Sequence, residues 1–476
     1  LIGRDVKVAL KKREHGKEQP YFPLGIFKIR IPFIHYRLEK AEFIQAFIMF
    51  VVSVSMIPLL QQGLGLPYEV AMAYIFVCGI GFLLPALLGE PVVPGWITPA
   101  IPIVMLYLSG YEPGPEAIKA LVALQLLVTF IFLFLGITGL GAKLANNLPN
   151  SLKGGILIGA GIAAILGEIQ AGGRLAETPI SLTIGSFVAI YLLFSLSFKK
   201  LSSSNKFARF LANAGIVPAL LIAIVIGWAV GEYKTPNVEW GLNLPAFGEM
   251  WNYLPFTVGF PDLSLYIAAI PTAIIAYIIA YGDIVVGGAL VDRAKKDRED
   301  EHIDSNTNRI HIITGIRNLL HSFFAPYPGL AGPIWTAITA TVAERYRNGR
   351  SAMDSIYSGA GTFWIAGFLA LFMLPLVTIF QPVLPVALSL TLILTGYLCI
   401  TIGIEQVETE AERGVAGVMA VALAVYGAAP GLITGVILYI LIERTSIFKS
   451  EQKAAAKEAE LQAVEGDVAV LDPDSK

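Results

Sequence analysis

The chain has 476 residues, 55% of them hydrophobic and 15% charged, with a mean hydropathy of +0.68; this excludes a soluble globular protein and points to a polytopic membrane protein. A net charge of −2 supplies no basic surface of the kind a nucleic-acid partner needs. Cys78 and Cys399 both sit in apolar runs, which leaves neither a disulfide framework nor a Cys-rich metal site.

Residues 1–41 carry Arg4, Lys7, Lys11, Lys12, Arg13, Lys17, Lys28, Arg30, Arg37 and Lys40, so the positive-inside rule makes this end cytoplasmic. Interspersed Tyr21, Phe22, Phe27, Phe33 and Tyr36 suggest a segment lying on the membrane surface. The chain opens on Leu1 rather than Met, which reads as an incomplete or processed N-terminus, with no signal peptide before the first span.

Apolar runs then predict spans near 42–62, 68–89, 115–138, 151–169, 179–198 and 212–231, with a short broken one near 95–109. Lys199, Lys200, Lys206 and Arg209 follow the sixth span, as an even-numbered exit to the cytoplasm requires. The proline-rich, acidic stretch 232–263 reads as an extracytoplasmic linker between two repeats, 42–231 and 264–446. The second repeat predicts spans near 264–290, 310–324, a broken 330–345, 355–379, 383–404, 412–428 and 430–446. Loops 292–309 and 344–350 are both basic, and the spacing argues that they cannot both lie inside if one of the two spans between them falls short of a crossing. The tail 447–476 is too short for a soluble domain and reads as a solvated cytoplasmic segment.

The expected fold class is therefore an all-α polytopic membrane protein. It has about 14 transmembrane segments in a seven-plus-seven inverted repeat, with two broken half-helices. The breaks are Pro94-Gly95-Trp96-Ile97-Thr98-Pro99 and Pro328-Gly329-Leu330-Ala331-Gly332-Pro333, which share Pro-Gly-x-x-x-Pro spacing. Non-helical backbone survives at membrane depth only where it is buried in protein or lines a cavity, so the breaks mark a solute site. Half-helix N-termini carry unpaired N–H groups and the positive dipole end, which favour an anion or an electron-rich polar group.

The candidate substrate-facing set is Gln45, Thr98, Ala100, Gly332, Ile334, Trp335 and Thr336. Trp96 and Trp335 either gate the solute or anchor at the interface. Thr339 reads as bonding back to its own helix. Asp283, in the apolar run 277–288, is the foremost intramembrane charge: a coupling site for a proton or a bound Na+, shared with Thr336, or else an ion pair with Arg317. Arg317, Asn318 and His321 form either a polar wall behind the break or, for Arg317, a snorkelling helix end. His311 reads as interfacial, Gln61 and Gln62 as lying at the outer mouth, and Glu90, Glu168 and Glu405 as solvated boundary residues.

The run Asp304-Ser305-Asn306, then Gly315-Ile316-Arg317-Asn318, then Ser322-Phe323-Phe324-Ala325-Pro326-Tyr327-Pro328 resembles the sulfate permease pattern. Less closely it is similar to nucleobase–cation symporters related to uracil permease. Both belong to a superfamily with bicarbonate transporters and anion exchangers. The resemblance implies core and gate domains, a homodimer and elevator-type transport of a small anion such as sulfate or bicarbonate, with a nucleobase as the alternative. Where sulfate permeases continue Gly-Ser-x-Ser-Arg, this chain has Gly332-Pro333-Ile334-Trp335-Thr336, and none of Pro333–Thr341 is the glutamate common in nucleobase symporters. Dimerisation is expected through spans after the breaks, including the runs 355–379 and 383–404. An enzyme would need a nucleophile–base pair or metal ligands at membrane depth, and no such pattern occurs, so no cofactor is expected beyond a bound Na+. The location that follows is an inner (plasma) membrane, multi-pass, with both termini cytoplasmic.

Overall fold

The computed structural model describes residues 12–444 apart from 142, 144–147, 171, 206, 209, 210 and 212–215. The expectations for residues 1–11, Lys206, Arg209 and the tail 447–476 fall outside the described residues. The first half forms α1 (Lys40–Val54), α2 (Ile57–Leu64), α3 (Tyr68–Leu88, with Pro85 in its last turn), α4 (Ile101–Leu108), α5 (Pro115–Thr138), α6 (Asn150–Ile169), α7 (Pro179–Phe194), the polar α8 (Leu196–Ser204) and α9 (Val217–Ala229), most of them apolar runs. The second half contributes α10 (Leu263–Lys296), α11 (Thr307–Phe324), α12 (Thr336–Arg347), α13 (Ile356–Ala370), α14 (Leu374–Phe380), α15 (Leu384–Glu405), α16 (Glu410–Tyr426) and α17 (Ala428–Leu438). Side-chain caps start several of them: Asp262 accepts from the Leu265 N–H, Asn306 from the Arg309 N–H, and Ser355 and Thr409 close capping boxes.

Among the described residues six helical stretches are long and apolar enough to cross a bilayer, or seven if α7 and α8, bent by 62°, count as one span. Several expected spans differ in detail. The first is two helices that meet at 55–56, the sixth bends at Ser195, and 355–379 is divided between α13 and α14. In the 232–263 stretch, Tyr253 accepts a hydrogen bond from Tyr74 of α3 at 2.9 Å, so part of it folds back onto the helices.

Six short strands lie outside the helices. β1 (Lys17–Glu18) pairs in parallel with β5 (Glu301–His302), β2 (Phe22–Leu24) with β3 (Phe27–Ile29) as a hairpin, and β4 (Gly95–Trp96) antiparallel with β6 (Ala331–Gly332). Arg298 donates to the carbonyls of Tyr346 at 2.8 Å and Met353 at 3.1 Å, so loops 297–306 and 348–355 share one end of the molecule.

The N-terminal segment is packed on that same basic end. Arg30 is fully buried over the Tyr357 ring, 3.7 Å from its centroid, and Tyr36 is buried too, whereas Phe22 and Phe33 remain exposed. Lys28 bridges Glu18 and Asp304, each at 2.6 Å, and Arg309 reaches Asp304 at 3.0 Å and Glu90 at 2.5 Å. Burial opposes ionisation of Asp304, but Lys28 and Arg309 outweigh it and hold its carboxyl down to about 2. Arg298 and Arg13 likewise hold Asp300 low. Glu90 and Glu168 are therefore not solvated boundary residues: Glu90 is buried against Arg309, and Glu168 is buried between Arg174 and Ser389, while Glu405 is exposed as expected.

Away from the breaks, α6 packs against both α15 and α16. Small residues permit the approach: a Cβ added at Gly161 would lie 2.6 Å from the Gly396 carbonyl oxygen, and one at Gly154 2.8 Å from that of Gly403.

Candidate functional site

Proline and glycine at 94–99 and 328–333 stop both helices, and the freed backbone groups find partners in each other. Gly95 faces Gly332 and Trp96 faces Ala331 in the β4–β6 pair. The ties continue on either side, where the Ile97 N–H donates to the Gly329 carbonyl at 3.0 Å and the Trp335 N–H to the Val93 carbonyl at 2.6 Å. The contact is close because no side chain intervenes. A Cβ on Gly332 would lie 2.5 Å from the Trp96 carbonyl, and one on Gly95 2.9 Å from the Trp335 Cβ.

Five side chains bond further carbonyls and amides around the breaks. Arg317, fully buried in α11, donates to the Gly332 carbonyl at 2.6 Å and the Gly95 carbonyl at 3.2 Å, one from each half of the chain. Asn318 takes the Ala331 N–H at 2.9 Å and donates to the Ala331 carbonyl at 2.8 Å. Gln125 of α5 accepts from the Tyr327 N–H at 3.1 Å and donates to Asn318 at 3.4 Å. Thr339 corrects the expected back-bond: its hydroxyl accepts from the Val93 N–H at 3.1 Å, across the two halves. Trp364 Nε1 donates to the Pro94 carbonyl at 3.0 Å, and its ring stacks on Phe82 with centroids 3.9 Å apart.

On the helix side of the strands, residues 98–100 form one turn that runs into α4, and α12 begins at Thr336. The long helix α10 packs against 98–100, α4 and α12. It brings Asp283, half-buried, to Thr336, whose hydroxyl donates to Asp283 Oδ1 at 3.0 Å. The ion-pair alternative is not realised: among the described residues no salt bridge joins Asp283 to Arg317, which spends its donors on the strands.

The other candidates are distributed unevenly. Ala100 is buried at the first helix start, and Thr98 is half-buried beside it. Ile334 is buried against α10, where a Cβ on Gly287 would lie 2.6 Å from its Cδ1. The Gly332 carbonyl is taken by Arg317. The Trp335 ring meets Phe363 and Trp364 at 6.0 and 6.2 Å, and Trp96 packs between Phe82 and Tyr327, so both tryptophans are built into aromatic clusters. Gln45 is half-buried in α1 and makes no hydrogen bond to the other candidates. His321 is fully buried against Gly81. His311, expected at the interface, is buried instead with Nε2 3.1 Å from the Tyr277 hydroxyl, because Gly136 and Gly141 let α11 approach closely. Gln61 and Gln62 are exposed. Gln125 and Trp364 are additions to the sequence-based set. Gln125 carried a signal, a lone amide mid-way along an apolar run, whereas nothing in sequence marked Trp364.

In the run 355–379, Tyr357, Ala360, Phe363 and Ala366 of α13 are buried, packed with α1 and α3, while Leu369 and Met373 are exposed.

Two strand-broken helices from opposite halves, hydrogen-bonded at their breaks and covered by a long helix carrying Asp283, define a permease-type membrane protein. The Permease family, Xan_ur_permease, matches residues 43–331, and the chain belongs to it. The fold is similar to that of the transmembrane domain of a cyanobacterium bicarbonate transporter, BicA, with TM-score 0.51 and 16% identity over 83% of this chain and 97% of that one. It is also similar to SLC26A9, with TM-score 0.52 and 15% identity over 86% of this chain and 66% of that one. No curated protein matches the chain significantly by sequence. The permease kinship suggested by the 304–328 motifs is thus borne out by the family model, and the two solved structures share the fold.

Proposed function

We propose that this chain is a secondary active transporter of a small anion, sulfate, bicarbonate or a related oxyanion, coupled to Na+ or H+ through Asp283. The observation that carries the reading is the β4–β6 pair, which sets two helix starts from opposite halves at one place, beside Asp283 and Thr336. Unpaired N–H groups at helix starts favour negative charge, and the carboxylate supplies a separate seat for a cation. Thr98, Ala100, Ile334 and Thr336 line the solute side in this reading. Gly332, Arg317, Asn318 and His321 support it from behind.

The helices are read as seven-plus-seven inverted spans, with α1–α5 and α10–α13 as a moving core and α6–α9 and α14–α17 as a gate, working as a homodimer by elevator-type displacement. A nucleobase–cation symporter is the second reading, favoured by the Xan_ur_permease match. Thermal stabilisation of the purified protein by sulfate, bicarbonate, uracil and xanthine, with and without sodium, separates them, since a specific ligand stabilises by mass action. The anion reading expects stabilisation by sulfate or bicarbonate and none by the nucleobases; the reverse pattern replaces it.

A further inference from the structure

We infer that Arg317 sets the sign of the solute's charge, resting on the transporter reading above. The guanidinium is fully buried and donates to one carbonyl of each broken segment, Gly95 and Gly332. Its lower face rests on Phe82, 5.0 Å from the ring centroid. Among the described residues no carboxylate forms a salt bridge with it, in contrast to Arg13, Arg30, Arg298 and Arg309, each of which has an acidic partner. Carbonyl oxygens take up its two terminal nitrogens, whereas its buried Nε has no hydrogen-bond partner and its charge is not balanced. Buried charges are ordinarily paired, and an unpaired one is costly.

The two carbonyls that it holds stand a few residues ahead of the helix starts at Thr98 and Thr336. The fixed positive charge therefore adds to the positive ends of both half-helices. Asp283 is the only acid hydrogen-bonded at those starts among the described residues, and its partner is Thr336 rather than Arg317. An anion seated at the helix starts completes the charge balance of the core. A neutral nucleobase gains nothing from it. Arg317 does not touch the solute in this account; it is a positioning and charge-setting residue behind the strands.

The test uses the full chain in detergent, with sulfate and bicarbonate as anionic probes and uracil as the neutral one, read by thermal stabilisation. Two variants remove the net charge in different ways. Arg317→Gln deletes it while keeping one amide donor. Cys78→Asp places a carboxylate in the layer that surrounds the guanidinium and leaves the arginine in place. Both are expected to weaken anion binding about tenfold or more, about 1.4 kcal/mol per decade, with uracil stabilising neither the parent nor the variants, and Arg317→Lys is expected to stay within about threefold of the parent. A folded Arg317→Gln or Cys78→Asp protein that binds anions like the parent overturns the inference and leaves the transporter reading standing. Loss of fold in both neutral variants, with Arg317→Lys folded, overturns it in favour of a purely structural arginine. If neither probe anion stabilises the parent, it is the anion reading itself that has failed.

Discussion

The two broken segments share a sequence pattern but not a register. Counting by Pro-Gly-x-x-x-Pro, Gly95 matches Gly329; counting by the strands, Gly95 and Trp96 correspond to Ala331 and Gly332. The structural correspondence sets Ala100 against Thr336 and Thr98 against Ile334. The second helix start therefore has a hydroxyl bonded to an acid, while the first has an alanine and no acid bonded to it. The pseudo-symmetry makes the place, and departures from it make the chemistry: the second half offers the cation seat, and the first contributes backbone donors alone.

Substitutions at the shared strands test whether the two halves are joined as described. The largest effect is expected for Gly332→Ala, whose Cβ would lie 2.5 Å from the backbone of Trp96. Overpacking against backbone should cost about 3 kcal/mol or abolish the fold, seen as a lower unfolding temperature in detergent. Gly95→Ala should cost less, because its nearest neighbour is the Trp335 Cβ at 2.9 Å, which has more room to shift. Equal effects would mean that the pair is symmetric after all.

Asn318→Ala comes next. It strands both the N–H and the carbonyl of Ala331 in a dry interior, for about 2 kcal/mol, measured in the same way. Thr339→Val should cost about 1 kcal/mol by leaving the Val93 N–H without its partner. Had the back-bond within α12 been the whole story, valine would be nearly neutral there.

The smallest effect is a pH dependence at the basic end, far from the breaks. The Asp304 carboxyl is depressed to about 2 in the folded state. Its contribution is fully present above the unfolded value of about 4 and is lost as pH falls through about 2. Asp304→Asn should flatten the acid limb of the stability–pH curve in that window, and an unchanged limb would show that the Lys28 and Arg309 contacts carry no net stability.

Much of this was legible in the residues. Proline and glycine inside apolar runs located both breaks, and a carboxylate in the run 277–288 picked out Asp283, because both features are costly in lipid and need a reason. What sequence could not supply was partnership. Arg317 could have met Asp283, the interface or the strands, and only the fold shows that two carbonyls from different halves converge on it. Glu90 and His311 look like boundary residues by position, yet burial of the one with Arg309 and of the other against Gly136 and Gly141 depends on segments far apart in the chain. The packed state of α13 was hidden for a related reason, since an apolar run facing lipid and one facing protein have the same composition.

The central claim, that Asp283 is the cation seat of a solute site made by both breaks, is tested most directly by transport through Asp283→Asn in proteoliposomes. Sulfate and bicarbonate flux would be measured as net uptake and as exchange, across pH and sodium concentration. With proton coupling the variant loses net uptake while retaining exchange; with sodium coupling it loses the sodium dependence of solute affinity. Transport indistinguishable from the parent, with the same pH and sodium dependence, would contradict the claim and leave Asp283 as a structural partner of Thr336.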